Sequence, residues 1–289
     1  MPDQSQCDQI ARSISGASNV YNVDTPGSMS YTVGTVVSFR EPQAHLDQSM
    51  VELAQAIHGP LVPKVSQHGP VDGADPPLAI HTMPYLPGIS CLDALDCQVD
   101  MDDVTEAKHV CFVRHLARYF ARCWFKPQHV AAEVRAENLN RIQSRFALLK
   151  ASPSILSTPV VSELAPRLPA LFAQEYPQVL THGDLSRTNI LVDEDTFEIT
   201  GIIDWSLAAI LPFGMELDTL YLTTGYMNLD DGDYDDGRRA KIRDMAEQAA
   251  RIGAILRYAF QRNADGSPSE TLVDDGAVTL RYLQAWLAT

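Results

Sequence analysis

The chain has 289 residues, of which 45% are hydrophobic, and a formal net charge of −15; it can therefore bury a substantial core, and it has no basic surplus to neutralise nucleic-acid phosphates. The charge is compatible with a cationic or neutral small substrate. No apolar run approaches the roughly 20 residues that span a bilayer, and the polar N-terminus is unlike a secretory signal. Together with five scattered cysteines, these features predict a cytoplasmic protein that binds neither nucleic acid nor membrane.

The N-terminal part of the sequence predicts a small β-rich lobe with one helix. Residues 19–40 alternate in hydrophobicity and are rich in Val, Tyr and Thr, which is typical of a β-hairpin. Residues 44–58 carry apolar side chains at helical spacing, and Gly59-Pro60 ends that helix. The hairpin turn is predicted at 26–28, and the strands at 35–39, 61–65 and 78–83. We place the first domain at residues 1–87.

From residue 88 onward the pattern becomes mostly helical. Apolar residues recur at helical spacing in five segments, which are 104–125, 135–150, 161–175, 240–262 and 276–288. A polar loop and a short hairpin interrupt them. We place the second domain at residues 88–289, so the chain is predicted to be a mixed α+β protein.

The interrupting stretch, residues 180–205, reads LTHGDLSRTNILVDEDTFEITGIIDW. Asn189 follows Asp184 by five positions, and Asp204 ends the second apolar run. A strand, a turn at 193–196 and a return strand would bring Asn189 beside Asp204. Amide and carboxylate oxygens suit Mg²⁺, which is held by few protein ligands plus phosphates. Asp184 could accept a hydrogen bond from a substrate hydroxyl and orient it.

This division of labour is that of kinase-type phosphoryl transfer. HGDLSRTNILV and GIIDW resemble the aminoglycoside phosphotransferase and choline kinase-like family, whose pattern is H-x-D-x-x-x-x-N followed by I-D-W. The continuation LPFGMELDTLYLTTGYM resembles the version of this family found in fungi. The resemblance implies a two-lobed, protein-kinase-like fold with a small β-rich N-lobe and a larger, mainly helical C-lobe. It also implies a small-molecule kinase that uses ATP and Mg²⁺ to phosphorylate a hydroxyl or amine of a metabolite.

The resemblance also implies roles for individual residues. Asp184 matches the catalytic base or hydroxyl-orienting residue, and His182 braces its loop. Asn189 and Asp204 match the Mg²⁺ ligands. The implied nucleotide contacts are Gly27 and Ser28 over the phosphates, Arg40 as the phosphate-pairing basic residue, and Thr82, Met83 and Tyr85 in the connector that meets adenine.

Several positions leave alternatives open. The turn at Gly27 is equally compatible with a plain hairpin turn, and the helical partner of Arg40 is either Gln48 or Glu52. Ser206 follows Asp-Trp where many relatives carry an acidic residue, so an aminoglycoside substrate need not carry over. The acidic run 230–236 predicts a solvated loop, with a cation-recognition patch as the alternative. Four tyrosines are candidates to line a substrate pocket, with core packing as their alternative role: Tyr221, Tyr226, Tyr258 and Tyr282.

Two other functions are compatible with the same pattern. One is a kinase-fold enzyme repurposed for acid–base chemistry without ATP in a biosynthetic pathway. The other is a catalytically silent binding protein. The sequence leaves the oligomeric state open.

Overall fold

The structure is a computed structural model, and it describes residues 4–18, 30–31, 35–44, 46–94, 102–219 and 237–287. The chain divides into two compact units, of which the first comprises residues 1–112 and 186–208 and the second 113–185 and 209–289. The segment that carries Asn189 and Asp204 therefore belongs to the first unit, although the residues on either side of it in the sequence belong to the second. The predicted domain boundary after residue 87 stays a prediction.

The helices and strands of the described residues follow in chain order. The helices are α1 (Gln4–Ser15), α2 (Gln48–His58), α3 (Cys91–Ala94), α4 (Asp103–Trp124), α5 (Ala132–Ala151), α6 (Thr158–Leu164), α7 (Leu168–Leu171), α8 (Gly237–Tyr258) and α9 (Val278–Leu287). The strands are β1 (Ser30–Tyr31), β2 (Val36–Arg40), β3 (Ser66–Pro70), β4 (Ala79–Met83), β5 (Ile89–Ser90), β6 (Gln178–Thr181), β7 (Ile190–Val192), β8 (Ile199–Ile202), β9 (Ala209–Pro212), β10 (Phe260–Arg262) and β11 (Pro268–Leu272).

The first unit contains an antiparallel sheet in the order β1-β2-β4-β3. In its register Val36 pairs with Met83 and Arg40 with Ala79. Helix α1 adds Cys7 and Ala11 to the core formed by the apolar residues of this sheet. Helix α2 begins at Gln48, later than the predicted start at residue 44. Asp47 caps it, since its Oδ1 accepts hydrogen bonds from the backbone N–H groups of Ser49 and Met50.

The strand predicted over 61–65 is wrong. Gly59–Leu61 forms a 3-10 turn, and the strand that pairs with β4 is β3, at residues 66–70. Pro63 has no backbone N–H to donate to a ladder, which disfavours a strand through this segment. The edge strand therefore begins after Val65.

The hairpin predicted in the central stretch is confirmed within the first unit. Strands β7 and β8 pair antiparallel with Ile190 opposite Ile202. The turn is closed by the N–H of Phe197, which donates to the carbonyl of Asp193 at 2.8 Å. The side chain of Asp193 also accepts from the N–H of Thr196 at 2.9 Å, as Asp does in many turns.

The second unit has a core between its helices. Buried residues from α5, α6, α8 and α9 form one cluster, among them Leu149, Leu164, Ile255 and Leu283. The single helix predicted over 161–175 is wrong in extent: α6 and α7 are separated by the 3-10 turn Ala165–Arg167. Pro166 and Pro169 remove two backbone donors there, and a continuous helix would need both.

The helix predicted over 240–262 begins and ends earlier than expected, at Gly237 and Tyr258. Helix α8 ends at Tyr258, and Phe260–Arg262 instead forms strand β10, which pairs antiparallel with β11. The other long helix, α4, agrees with the predicted 104–125 to within a residue at each end. Within the described residues, no helix combines the length and the apolarity needed to cross a bilayer.

Candidate active site

The loop that carries Asp184 leaves strand β6, which lies in the second unit and is fully buried. Strand β6 pairs with β9, so the backbone is anchored up to Thr181. His182 is inaccessible to solvent, and its Nδ1 accepts a hydrogen bond from the backbone N–H of Asp184 at 3.3 Å. Gly183 has a φ of 82°, a conformation that favours glycine. The backbone conformation of the loop is therefore fixed by its own residues. Asp184, at the end of the loop, is half-buried.

Glu216 holds this loop from the side. One carboxylate oxygen accepts the backbone N–H of His182 at 3.0 Å, and the other accepts the N–H of Gly183 at 2.7 Å. The residue is only 4% exposed, and a buried carboxylate is tolerated where such donors satisfy it. Sequence analysis missed Glu216. The only signal in the sequence was an acidic residue inside the apolar run PFGMEL.

Arg257, near the end of helix α8, lies beside two carboxylates. Its Nε is 3.3 Å from Asp218 Oδ2, and its Nη2 is 3.9 Å from Glu216 Oε1. Burial alone would lower the pKa of Arg257, but the charges of Asp218 and Glu216 outweigh burial and raise the pKa above its usual value. Asp218 is completely buried. Burial, opposed by Arg257 and reinforced by Glu216, raises the pKa of Asp218 to about 6.

Other ionisable side chains of the second unit surround this group. Burial, and then the charge of Glu216, raise the pKa of Tyr119 far above its usual value and that of Cys123 to about 12. Asp184 lies within electrostatic range of Arg257 and of Arg262. The predicted catalytic carboxylate, Asp184, therefore interacts electrostatically with Arg257, which pairs with Glu216 and Asp218.

The predicted metal ligands belong to the first unit. The backbone carbonyl of Asn189 accepts from the N–H of Ile203 at 3.0 Å, so Asn189 lies beside the end of β8 where Asp204 follows. Asp204 has φ 62° and ψ 63°, a left-handed conformation that costs energy for a non-glycine residue and is typical of functional sites. Its side chain is 40% exposed. An amide oxygen and a reachable carboxylate form a donor set that fits Mg²⁺.

Arg40 pairs with Asp204. Its Nη2 lies 2.8 Å from Asp204 Oδ1, and its Nε donates to Ser38 Oγ at 3.2 Å. The two residues weighed as its partner instead bond to each other, with Gln48 Nε2 donating to Glu52 Oε1 at 3.1 Å. The positive charge of the buried Arg40 is therefore balanced by the carboxylate of Asp204, the predicted metal ligand.

The remaining predicted nucleotide contacts are only partly described. Thr82 and Met83 end strand β4, and Thr82 Oγ1 is hydrogen-bonded to His68 Nε2 at 2.8 Å. Tyr85 is 69% exposed. Several predicted features lie outside the described residues: Gly27, Ser28, Tyr221, Tyr226, the acidic run 230–236 and the side chain of Tyr282. Tyr258 is described and partly buried, and burial is the main cause that raises its pKa to about 12.

The small antiparallel sheet with its helix, the loop-and-hairpin motif and the mainly helical remainder together form the α+β, kinase-like fold of phosphotransferases. The family model described as the phosphotransferase enzyme family matches residues 10–252. The chain belongs to this family and is a phosphotransferase, which confirms the predicted family and enzyme class.

Solved structures of the same fold have low sequence identity to the chain. One is the aminoglycoside phosphotransferase APH(3'')-Id from Streptomyces rimosus, in complex with ADP and streptomycin. The match has a TM-score of 0.50 and 17% identity, and it covers 88% of this chain and 97% of that one. Another is a choline/ethanolamine kinase family protein from Mesorhizobium loti, with a TM-score of 0.51, 13% identity, and coverage of 98% and 95%. No curated protein sequence matches the chain. At these identities the structural likeness establishes the fold.

Proposed function

We propose that the chain transfers the γ-phosphoryl group of ATP, in the presence of Mg²⁺, to a hydroxyl or amine of a small metabolite. The observation that carries the proposal is the complete set of Asp184, Asn189 and Asp204 in a member of a phosphotransferase family, at the spacing that the reaction needs. In such reactions positioning and charge neutralisation supply nearly all of the catalysis. Apart from the proton that Asp184 accepts, the residues with a proposed role therefore hold or orient the reacting groups.

Asp184 is the residue that would orient the acceptor. Its carboxylate accepts the hydrogen bond of the acceptor hydroxyl and takes up the proton as the acceptor oxygen bonds to the γ-phosphorus. The bond from that phosphorus to the bridging oxygen breaks, and ADP leaves with its electron pair. The buried His182 and the Glu216 carboxylate support this role, because they fix the backbone on which Asp184 is carried.

Asn189 and Asp204 would hold Mg²⁺, and Arg40 would contact a phosphate. When bound, the ion supplies positive charge to the phosphate oxygens. The pairing of Arg40 with Asp204 supports the proposal that both side chains serve one phosphate-and-metal site in the first unit. Thr82, Met83 and Tyr85 are the proposed adenine contacts, and Gly27 and Ser28 the proposed cover of the phosphates.

The acceptor is proposed to be a small molecule without a required positive charge. Ser206, which follows the Asp-Trp pair, donates its hydroxyl to Asp204 Oδ1 at 3.0 Å and offers no carboxylate. Streptomycin is bound by the Streptomyces rimosus enzyme. For the present chain the aminoglycoside class is one candidate among hydroxylated and amine-bearing metabolites.

Calorimetry and an assay of ADP formation test the proposal together. Mg-ATP should bind to the wild type, and Asp204→Ala should weaken that binding at least tenfold because a metal ligand is lost. Asp184→Ala should retain binding, while the rate of ADP formation, first with water and then with pools of small hydroxyl and amine compounds, falls by about 10²- to 10⁴-fold. Asp195→Asn, at an exposed turn position of the same hairpin, is the control and should change neither quantity.

Two outcomes would contradict the proposal. Absence of binding heat at millimolar Mg-ATP would exclude a nucleotide-dependent enzyme and favour ATP-independent chemistry or a silent binding protein. Unchanged ADP formation in Asp184→Ala would show that Asp184 does not orient the acceptor.

A further inference from the structure

Helix α8 is fitted closely against the segment that carries Glu216. A Cβ atom placed on Gly253 would lie 1.9 Å from the carbonyl oxygen of Met215, so the helix backbone touches the residue directly before Glu216. Arg257 follows Gly253 by one helical turn, and its side chain is 9% exposed. Helix α8 thus places the buried guanidinium of Arg257 near Glu216, whose carboxylate binds the backbone of the Asp184 loop.

The geometry points to Arg257 as a positioning residue that holds Glu216 against the backbone of His182 and Gly183 and thereby fixes Asp184. The inference rests on the proposed function for its catalytic consequence, but the mechanical part stands on contacts within the second unit. The contacts form a chain: Arg257 Nη2 lies 3.9 Å from Glu216 Oε1, which accepts from the N–H of Gly183 at 2.7 Å. Asp218, whose Oδ2 lies 3.3 Å from Arg257 Nε, pairs with the same guanidinium.

Electrostatics explains why this arrangement needs the guanidinium. Glu216 and Asp218 are both buried, and two neighbouring buried carboxylates without a counter-charge repel each other. Without Arg257 they would separate or take up a proton, and either change would weaken the hydrogen bonds from Glu216 to the loop. Within the described part of the chain, the ionisable and charged groups near Arg257, Glu216 and Asp218 are Tyr119 and Cys123 of α4, Asp184 of the loop, Tyr258 of α8 and Arg262 of β10.

Hydrogen exchange at the backbone amides of His182 and Gly183 tests the inference without any substrate. In Arg257→Met we expect these two amides to exchange about tenfold faster than in the wild type, because each loses roughly one hydrogen bond. The matched control is Arg251→Met, on the same helix, where Arg251 pairs with the partly exposed Glu163; there the two amides should exchange at the wild-type rate. Arg257→Lys keeps the charge and should show a smaller acceleration, which also serves if Arg257→Met does not fold.

A double-variant comparison identifies the route of the effect. If Arg257 acts through Glu216, then Glu216→Gln combined with Arg257→Met should accelerate exchange no more than the larger single effect. Effects that add would mean that Arg257 acts on the loop independently, and this would overturn the inference. Unchanged exchange in both Arg257→Lys and Arg257→Met would overturn it as well.

Kinetics with Mg-ATP gives the catalytic readout. We expect kcat for ADP formation to fall about tenfold in Arg257→Lys while KM for Mg-ATP stays within twofold, and Arg251→Met to leave both unchanged. Accelerated exchange in the Arg257 variants with no ADP formation by the wild type would mean that the proposed function fails and the positioning role stands. If the Arg257 variants show wild-type exchange and wild-type kcat for ADP formation, the proposed function stands and the positioning role of Arg257 fails.

Discussion

Asp218 is a buried carboxylate whose pKa is raised above its usual value. It is completely buried, and burial raises its pKa from 3.8 to about 6 even though Arg257 is adjacent. The folded protein therefore binds a proton at Asp218 more tightly than the unfolded chain does. Its contribution to stability is fully present below the unfolded pKa of 3.8 and is lost as the pH rises through about 6.

This reasoning predicts the pH dependence of an Asp218→Asn variant. Asn cannot titrate, so the free energy of unfolding of the variant, relative to the wild type, should rise by about 2–3 kcal/mol between about pH 4 and pH 7, because about two pKa units at 1.36 kcal/mol each separate the folded from the unfolded pKa. Urea unfolding of both proteins across this range, followed by circular dichroism, measures the difference. Parallel pH profiles for the two proteins would contradict the raised pKa.

At the scale of elements, the packing of helix α8 decides the geometry of the site. Gly253 of α8 lies against the backbone of Met215. Gly214, which precedes Met215 in the sequence, has a φ of 101° and faces Ala246 of the same helix. Close contact between the helix and the turn is possible here because one of the two residues at each contact is a glycine. The turn that holds Glu216 and the helix that holds Arg257 are thereby brought together.

We therefore predict that Gly253→Ala is destabilising although alanine favours helix. The Cβ would have to push backbone away, and overpacking of this kind costs about 1–3 kcal/mol, which exceeds the gain of about 1 kcal/mol in helix propensity at its upper end. Thermal unfolding should show a lower Tm, and the amides of His182 and Gly183 should lose protection. Gly276→Ala is the control, because a Cβ there meets nothing within 4 Å among the described residues; its Tm should stay the same or rise slightly. An unchanged Tm in Gly253→Ala would show that the contact can relax.

At the scale of the whole molecule, net charge bears on the proposed binding of a nucleotide. The chain carries a net charge of −15, and ATP is itself an anion, so the two repel each other at long range. Mg²⁺ reduces the charge of the nucleotide and, in the proposed function, joins it to Asn189 and Asp204. Binding of the nucleotide should therefore depend strongly on the ion.

A thermal-shift titration examines this expectation. Mg-ATP at about 100 times its Kd should stabilise the folded protein by about 2.7 kcal/mol and raise Tm by several degrees. ATP with a chelator should give a smaller increase at the same concentration, and Mg²⁺ alone should give little. Equal increases with and without the chelator would argue against a metal-bridged nucleotide.

The sequence alone determined the features that arise from local periodicity and from a dense motif. The resemblance of HGDLSRTNILV and GIIDW to a known motif pointed to the family, and the two apolar runs separated by a turn predicted the hairpin of β7 and β8. The apolar stripe of α4 predicted that helix almost to the residue. No helix was predicted for residues 4–15, although Cys7, Ile10, Ala11 and Ile14 lie at helical spacing and pack in the core of the first unit. The 61–65 segment misled in the other direction, because its apolar run resembled a strand.

Only the tertiary structure decided which polar side chains meet. Arg40 pairs with Asp204 across 164 positions, Glu216 holds the backbone of His182 across 34, and Arg257 of helix α8 reaches Asp218. No periodicity encodes such partners, because each is selected by the requirement that a charge removed from water finds an opposite charge or a hydrogen-bond donor nearby. That requirement can be satisfied only once the packed backbone has determined which groups are buried together.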